Sequence, residues 1–219
     1  MGVVAMMLVG CGGDDGEQAS RGPAPGTAWI TSILPSAKEL KETLGGYYRD
    51  GAEPPPLGGT DALRAVRNPD KVSERQCLGV VDPLTSIAFG SAPVAAVTYA
   101  MNSAATYGVV ALQSARDAQA LFAKFTEQWR QCDGTTVVDR SGRTSTFRIS
   151  EVAITDDVAS ASTVTQDLTG IAVPYLRALG VSQDCIVEVS APATAASSAD
   201  QAAVRLTRLM MDKVANAKR

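Results

Sequence analysis

Apolar residues recur along the chain in two rhythms, and these mark out its elements. At spacings of three and four, Ala118, Leu121, Phe122, Phe125, Trp129 and Cys132 form one stripe. Arg116, Lys124, Glu127 and Arg130 fall off that stripe. The spacing predicts an amphipathic helix from Ser114, a good N-cap, to Cys132, with Asp133-Gly134 as its stop. Asp117 in the first turn suits the helix macrodipole. A shorter helix is predicted over "PSAKELKETLGG", where Ser36 and Glu39 have capping-box spacing and Leu40 and Leu44 share a face. A last helix is predicted from Ser198, with Gln201 completing a second capping box. Ala202, Leu206, Leu209, Met210 and Val214 form its apolar face.

The other rhythm is that of strands. "PVAAVTYAMNS" and "ATYGVVALQ" are β-branched and aromatic runs separated by small polar residues, and they predict an antiparallel hairpin. Further strands are predicted at "TTVVDR", "TSTFRIS", "EVAIT", "ASTVTQDL", "GIAVPYLRALGV" and "DCIVEVSA", with Ser141-Gly142 as the tightest turn. Pro174 lacks an N–H for a ladder, so an edge or a bulge is expected there. "YYRDGAEPPPLGGT" reads as a long loop, Asp61–Arg75 as a polar stretch, and Leu84–Phe89 as a short helix. Helix, loop, hairpin, long helix, several strands and a final helix make an α+β fold, an antiparallel sheet with helices packed on it.

The first 27 residues stand apart. Met1 to Gly10 carry no charge, but a membrane-spanning helix needs roughly 20 apolar residues. The run has instead the length and apolarity of a signal-peptide core. Leu8-Val9-Gly10-Cys11 resembles a bacterial lipobox, which makes Cys11 the expected site of lipidation and the first residue after cleavage. No Lys or Arg precedes it, so 1–10 reads as a shortened signal peptide whose true start lies upstream. Residues 11–27 then form the lipidated cysteine and a flexible Gly/Pro-rich linker. About 16 such residues hold a domain roughly 20 Å from its anchor. The folded domain is expected over 28–219, exported and held by lipid at the outer face of the cell membrane.

Composition narrows the chemistry. The 219 residues include no histidine, which excludes a Ser-His-Asp or Cys-His triad, an HExxH zinc site and imidazole base catalysis. A net charge of −3 gives no nucleic-acid footprint. No P-loop, CxxC motif or calcium loop is present, and neither cofactor nor metal is implied. The kinase signatures G-x-G-x-x-G, H-R-D and D-F-G are absent. The acidic pairs Asp14-Asp15 and Asp156-Asp157 read as solvated linker and turn charges.

With Cys11 reserved for lipid, Cys77, Cys132 and Cys185 allow one intramolecular disulfide and leave one thiol. Cys132 ends the apolar helix, and Cys77 joins a polar to an apolar segment; a bond between them would close a loop of about 55 residues. Cys185, in "DCIVEV", reads as a half-buried strand position.

"CLGVVDPL", two strands, "DAQALFAKFTEQWRQCDGTTV" and a final "DQAAVRLTRLMMDKV" together resemble the PknH-like extracellular sensor domain family, which also occurs in standalone lipoproteins. The most specific part is W-x-x-C-x-G at Trp129, Cys132 and Gly134, with Cys77-Leu78-Gly79 far upstream. The resemblance covers the chain from about Thr31 onward. It implies an antiparallel sheet with helices forming a ligand cleft, and a disulfide at Cys77 and Cys132. A second family disulfide maps to Tyr175 and Ala191 here, so it is expected to be absent, with Cys185 a free thiol.

Three functions follow as expectations. The first is a non-catalytic sensor or binding lipoprotein for a small molecule, lipid or cell-wall fragment. It predicts a deep apolar pocket, to which Tyr99, Tyr107 and Trp129 could contribute. The second is an envelope hydrolase using carboxylates or a Ser–Lys pair, which predicts two shifted titratable groups in a cleft. The third is an interaction module for an envelope protein partner, which predicts an exposed apolar patch.

Overall fold

The computed structural model describes residues 26–45, 55–65, 68–102, 105–193 and 202–218. Cys11, the proposed signal and most of the linker lie outside them, as does the expected capping box at Ser198 and Gln201. The fold is α+β. Eight strands form one antiparallel sheet in the order β1-β2-β3-β8-β7-β6-β5-β4. They are β1 (Leu57–Gly58), β2 (Val94–Met101), β3 (Thr106–Leu112), β4 (Thr136–Asp139), β5 (Ser145–Ile154), β6 (Val158–Asp167), β7 (Ala172–Ser182) and β8 (Cys185–Pro192). The helices are α1 (Ala37–Leu44), α2 (Leu78–Val81), α3 (Ser86–Phe89), α4 (Ala115–Cys132) and α5 (Ala202–Ala217).

The central strands of the sheet are covered on both sides, which explains why they are nearly all apolar. On one face α4 lays its predicted stripe against Val110, Ile186, Leu179 and Ile149, joined by α2 and α3. Every predicted stripe residue of α4 is buried, and Phe89 of α3 meets Phe125 edge to face at 5.5 Å. On the other face α5, α1 and a 3-10 turn at Ala28–Ile33 cover Ala96, Val109, Val187, Val189 and Ala178. The buried face of α5 is turned slightly from expectation, toward Ala203, Thr207 and Met211 as well as Leu206, Met210 and Val214. Met211 and Thr207 lie so close to Gly180 in β7 that no Cβ fits there.

The α1 capping box forms as the sequence predicts, with Ser36 Oγ accepting from the Glu39 N–H and Glu39 Oε2 accepting from the Ser36 N–H. α1 runs antiparallel to α5. Lys213 Nζ donates to Leu34 C=O and to Glu39, and Arg205 Nη2 donates to Thr43 C=O. The chain therefore enters the fold beside the C-terminal end of α5, where Lys218 Nζ lies 4.4 Å from the Trp29 ring. Lys218 also reaches Asp184 in the β7–β8 turn.

Several expectations are corrected. The predicted loop contains a strand, because Leu57-Gly58 pairs with Thr98-Val97. "TSTFRIS" and "EVAIT" are one strand, β5, bent by a bulge between Ser150 and Ala153 that gives Glu151 a φ of 58°. Pro174 lies on an interior strand and at no bulge. The β7–β8 pairing stops at Tyr175 opposite Pro192, so the missing N–H falls where the ladder ends. Cys185 is fully buried, not half-buried, because both faces of β8 are covered.

Candidate functional site

The "CLGVVDPL" segment is held to the sheet by four devices. Its first residue, Cys77, is bonded to Cys132 at the end of α4, with Cα atoms 5.7 Å apart. Both cysteines are buried. Beneath the segment, Arg177 of β7 is completely buried. Its Nε donates to Val80 C=O (2.7 Å), its Nη2 to Gly79 C=O (3.1 Å) and Glu188 Oε2 (2.9 Å), and its Nη1 to Val189 C=O (3.2 Å). Trp129 of α4 covers the guanidinium with its ring centroid 5.8 Å from Cζ. Glu188 Oε2 also accepts the Leu84 N–H at 3.3 Å. Leu84 has a φ of 60° and packs against Gly108, where a Cβ would meet Leu84, Tyr99 and the Thr98 carbonyl. Burial pushes the Glu188 carboxyl up, opposed by the Arg177 guanidinium and the Leu84 N–H. This pair is sealed in the core, so it positions a segment and is not reached by a substrate.

Two surface cavities are lined by described residues. One, of about 260 Å³, lies between the 64–82 region and β4–β5 and is lined by Arg64, Val72, Leu78, Asp82, Asp139 and Phe147 among others. Its polar groups already have hydrogen-bond partners within the chain. Arg64 pairs with Asp82 and donates to Pro83 C=O, and Asp139 accepts from the Ser141 N–H and hydroxyl.

The other is a groove of about 240 Å³ on the α5 side of the sheet. α5 covers β7 and β8, but Arg148, Ala153 and Glu151 of β5 remain exposed, and Ser160 and Ser162 of β6 half-exposed. The groove runs along this step, lined by Glu151, Ala153, Ser160, Ser162, Leu176 and Ala203. Arg177 also borders it, but its guanidinium lies on the opposite face. The bulge in β5 turns Glu151 so that its Oε2 accepts from Ser162 Oγ at 2.6 Å. One carboxylate, two hydroxyls and an apolar wall from Leu176 and Ala203 suit hydrogen bonding to a small polar group. No group of three or more metal-ligating side chains occurs among the described residues.

The comparisons with known proteins bear on the whole of this architecture. Residues 26–213 match the PknH-like extracellular domain. The chain belongs to that family. The crystal structure of the extracellular domain of PknH from Mycobacterium tuberculosis superposes with a TM-score of 0.68 at 16% identity, covering 85% of this chain and 95% of that one. An uncharacterised protein from Mycobacterium smegmatis matches with a TM-score of 0.41 at 14% identity, over 84% and 95% of the two chains. No curated protein matches.

Within the PknH-like family frame, the expected Cys77–Cys132 bond is present and Cys185 is a buried free thiol. Burial and the neighbouring Asp184 carboxylate push that thiol up. The two positions assigned to a second disulfide do not face each other: Tyr175 opposes Pro192, and Ala191 opposes Leu176. Tyr107 and Trp129 are buried in the two cores and Tyr99 packs against one of them. None of the three lines either cavity. Neither of these two cavities is the deep apolar pocket that the sequence leads one to expect. Asp156 and Asp157 lie in the β5–β6 turn, with Asp157 3.6 Å from Arg208. Sequence reasoning missed Arg177, Glu188 and Glu151. For Arg177 and Glu188 the available signal was a charged residue interrupting an otherwise apolar strand.

Proposed function

We propose that this PknH-like extracellular domain is a non-catalytic recognition module of the cell envelope, lipid-anchored through Cys11 at the outer face of the cell membrane. The groove beside α5 is its ligand contact. The observation that carries this reading is the step between covered and bare sheet, where Glu151, Ser160 and Ser162 meet the apolar wall of Leu176 and Ala203. Its volume falls below the several hundred Å³ that enclose a drug-sized ligand. It therefore suits one end of a larger molecule, such as a sugar or amino-bearing cell-wall fragment whose hydroxyl or ammonium groups meet the carboxylate and hydroxyls.

The lipid anchor rests on Leu8-Val9-Gly10-Cys11 and on the Gly/Pro-rich stretch that follows. No helix among the described residues is long and apolar enough to cross a membrane. Recognition is favoured over hydrolysis because the buried ion pair is sealed under α4, while the groove carries a single carboxylate hydrogen-bonded to a serine. Binding is tested by titrating muropeptide fragments into the protein and reading backbone amide shifts. The expected result is a cluster of shifts at Glu151, Ser160 and Ser162, abolished by Glu151→Ala. Shifts confined to the Arg64–Asp82 cavity would overturn the assignment of the groove.

A further inference from the structure

The β6–β7 hairpin projects past its neighbours. β8 stops at Pro192, opposite Tyr175, whereas β7 begins at Ala172. β5 begins at Ser145, opposite Asp167, the last residue of β6. The turn between β6 and β7 therefore stands clear of the strands on both sides. It is apolar: Leu168 is 73% exposed, Ile171 66% and Val173 38%. The other large apolar side chains exposed among the described residues, Leu57 and Met101, belong to β1 and β2 on the far side of the sheet.

The surroundings of this tip are cationic. The β4–β5 turn at the same end of the sheet carries Arg140 and Arg143, and Arg148 follows on β5; all three are exposed. The carboxylate of Asp167 at the tip accepts from the Thr169 N–H and hydroxyl; these bonds, and then the charge of Arg143, hold it below the ordinary carboxylate range. The carboxylate at the β4–β5 turn, Asp139, is occupied by Ser141. An apolar wedge beside three exposed arginines, which outnumber the carboxylates of Asp139 and Asp167 at this end of the sheet, is complementary to an anionic bilayer interface, where the wedge reaches the acyl boundary and the guanidinium groups meet phosphates.

We propose that the β6–β7 hairpin tip docks on an anionic lipid surface, with Leu168 and Ile171 inserted and Arg140, Arg143 and Arg148 on the headgroups. This contact is separate from the groove and from the anchor. The chain enters the fold at the β7–β8 end, about 36 Å along the strands from the start of β7 at some 3.3 Å per residue. The 16 residue steps from Cys11 to Thr27 span at most about 55 Å when extended. Anchor and tip can therefore reach one leaflet together.

The test uses the full chain carrying Cys11→Ser, so that no lipid contributes, cosedimented with vesicles of phosphatidylglycerol and phosphatidylcholine or of phosphatidylcholine alone. Any binding by the apolar residues 1–10 is common to all variants and cancels between them. The expected result is binding to the anionic vesicles that weakens with salt. Leu168→Ser with Ile171→Ser should lose at least about tenfold in affinity, the cost of withdrawing two large apolar side chains. Each Arg→Gln change at 140, 143 or 148 should lose about fivefold. All these positions are exposed, and unchanged far-ultraviolet circular dichroism checks that the fold is intact. A parent chain that stays in the supernatant, or a double-serine variant that binds as the parent does, would overturn the proposal. So would crosslinking from position 168 to an envelope protein without any vesicle binding. None of these results bears on the groove, which the amide-shift titration tests separately.

Discussion

Arg177 lies at zero exposure between a Trp ring and a carboxylate, and three backbone carbonyls complete its coordination. A buried ion pair gains little over apolar residues of the same size, but removing one partner strands the other charge. Arg177→Met is therefore expected to cost about 3–5 kcal/mol. Arg177→Met with Glu188→Met should cost less than the sum of the single changes, as measured by urea unfolding in a double-mutant cycle. Purely additive costs would contradict the pairing. Cys185 makes a second prediction at this scale. Its buried thiol, pushed up by burial and by Asp184, should resist iodoacetamide in the folded protein and react fully in urea. The sequence made Cys185 and the Cys77–Cys132 bond legible, because cysteine number and family spacing constrain pairing. It left Arg177 and Glu188 unpaired, since their meeting depends on a strand register that sets Leu179 opposite Glu188 and Arg177 opposite Ser190.

Among the elements, the segment from Cys77 to Leu84 depends on the disulfide at one end and on Gly108 at the other. Replacing Cys77 and Cys132 by Ser should cost up to about 4 kcal/mol, the chain-entropy value for a loop of this length. Gly108→Ala would push Leu84 away from the sheet and should cost about 1–3 kcal/mol in chemical denaturation. The clasp between α1 and α5 adds a pH dependence. Burial pushes Glu39 up, but hydrogen bonds from Lys213 and Ser36 outweigh it and hold the carboxyl below its ordinary value of 4.5. A depressed carboxyl contributes stability that is present above 4.5 and lost as pH falls through the folded value. Glu39→Gln should therefore flatten the decline in melting temperature below pH 4.5. The apolar periodicity showed α4 and α1 almost to the residue, since each buries one face. Strand ends were less legible: Leu168 and Ile171 continue an apolar pattern in the sequence, yet the hairpin turn carries them past the sheet into solvent.

At the scale of the whole molecule, the sheet is divided into a doubly covered half and a half bare on one side, and the division places the groove. Nothing in the apolar pattern shows where a helix stops covering a sheet. Glu151 was hidden further by a bulge that fuses two predicted strands into one. The family match places the chain among extracellular domains; recognition at the groove and tethering through Cys11 are the proposals that rest on it. The most direct measurement is native mass spectrometry of the protein, purified gently from its host and compared with Ser162→Tyr, which fills the groove from a half-exposed sheet position. The account predicts a small noncovalent adduct on the parent protein that is missing from the variant. An adduct retained equally by both, or a parent protein that carries none in the presence of cell-wall fragments, would contradict it.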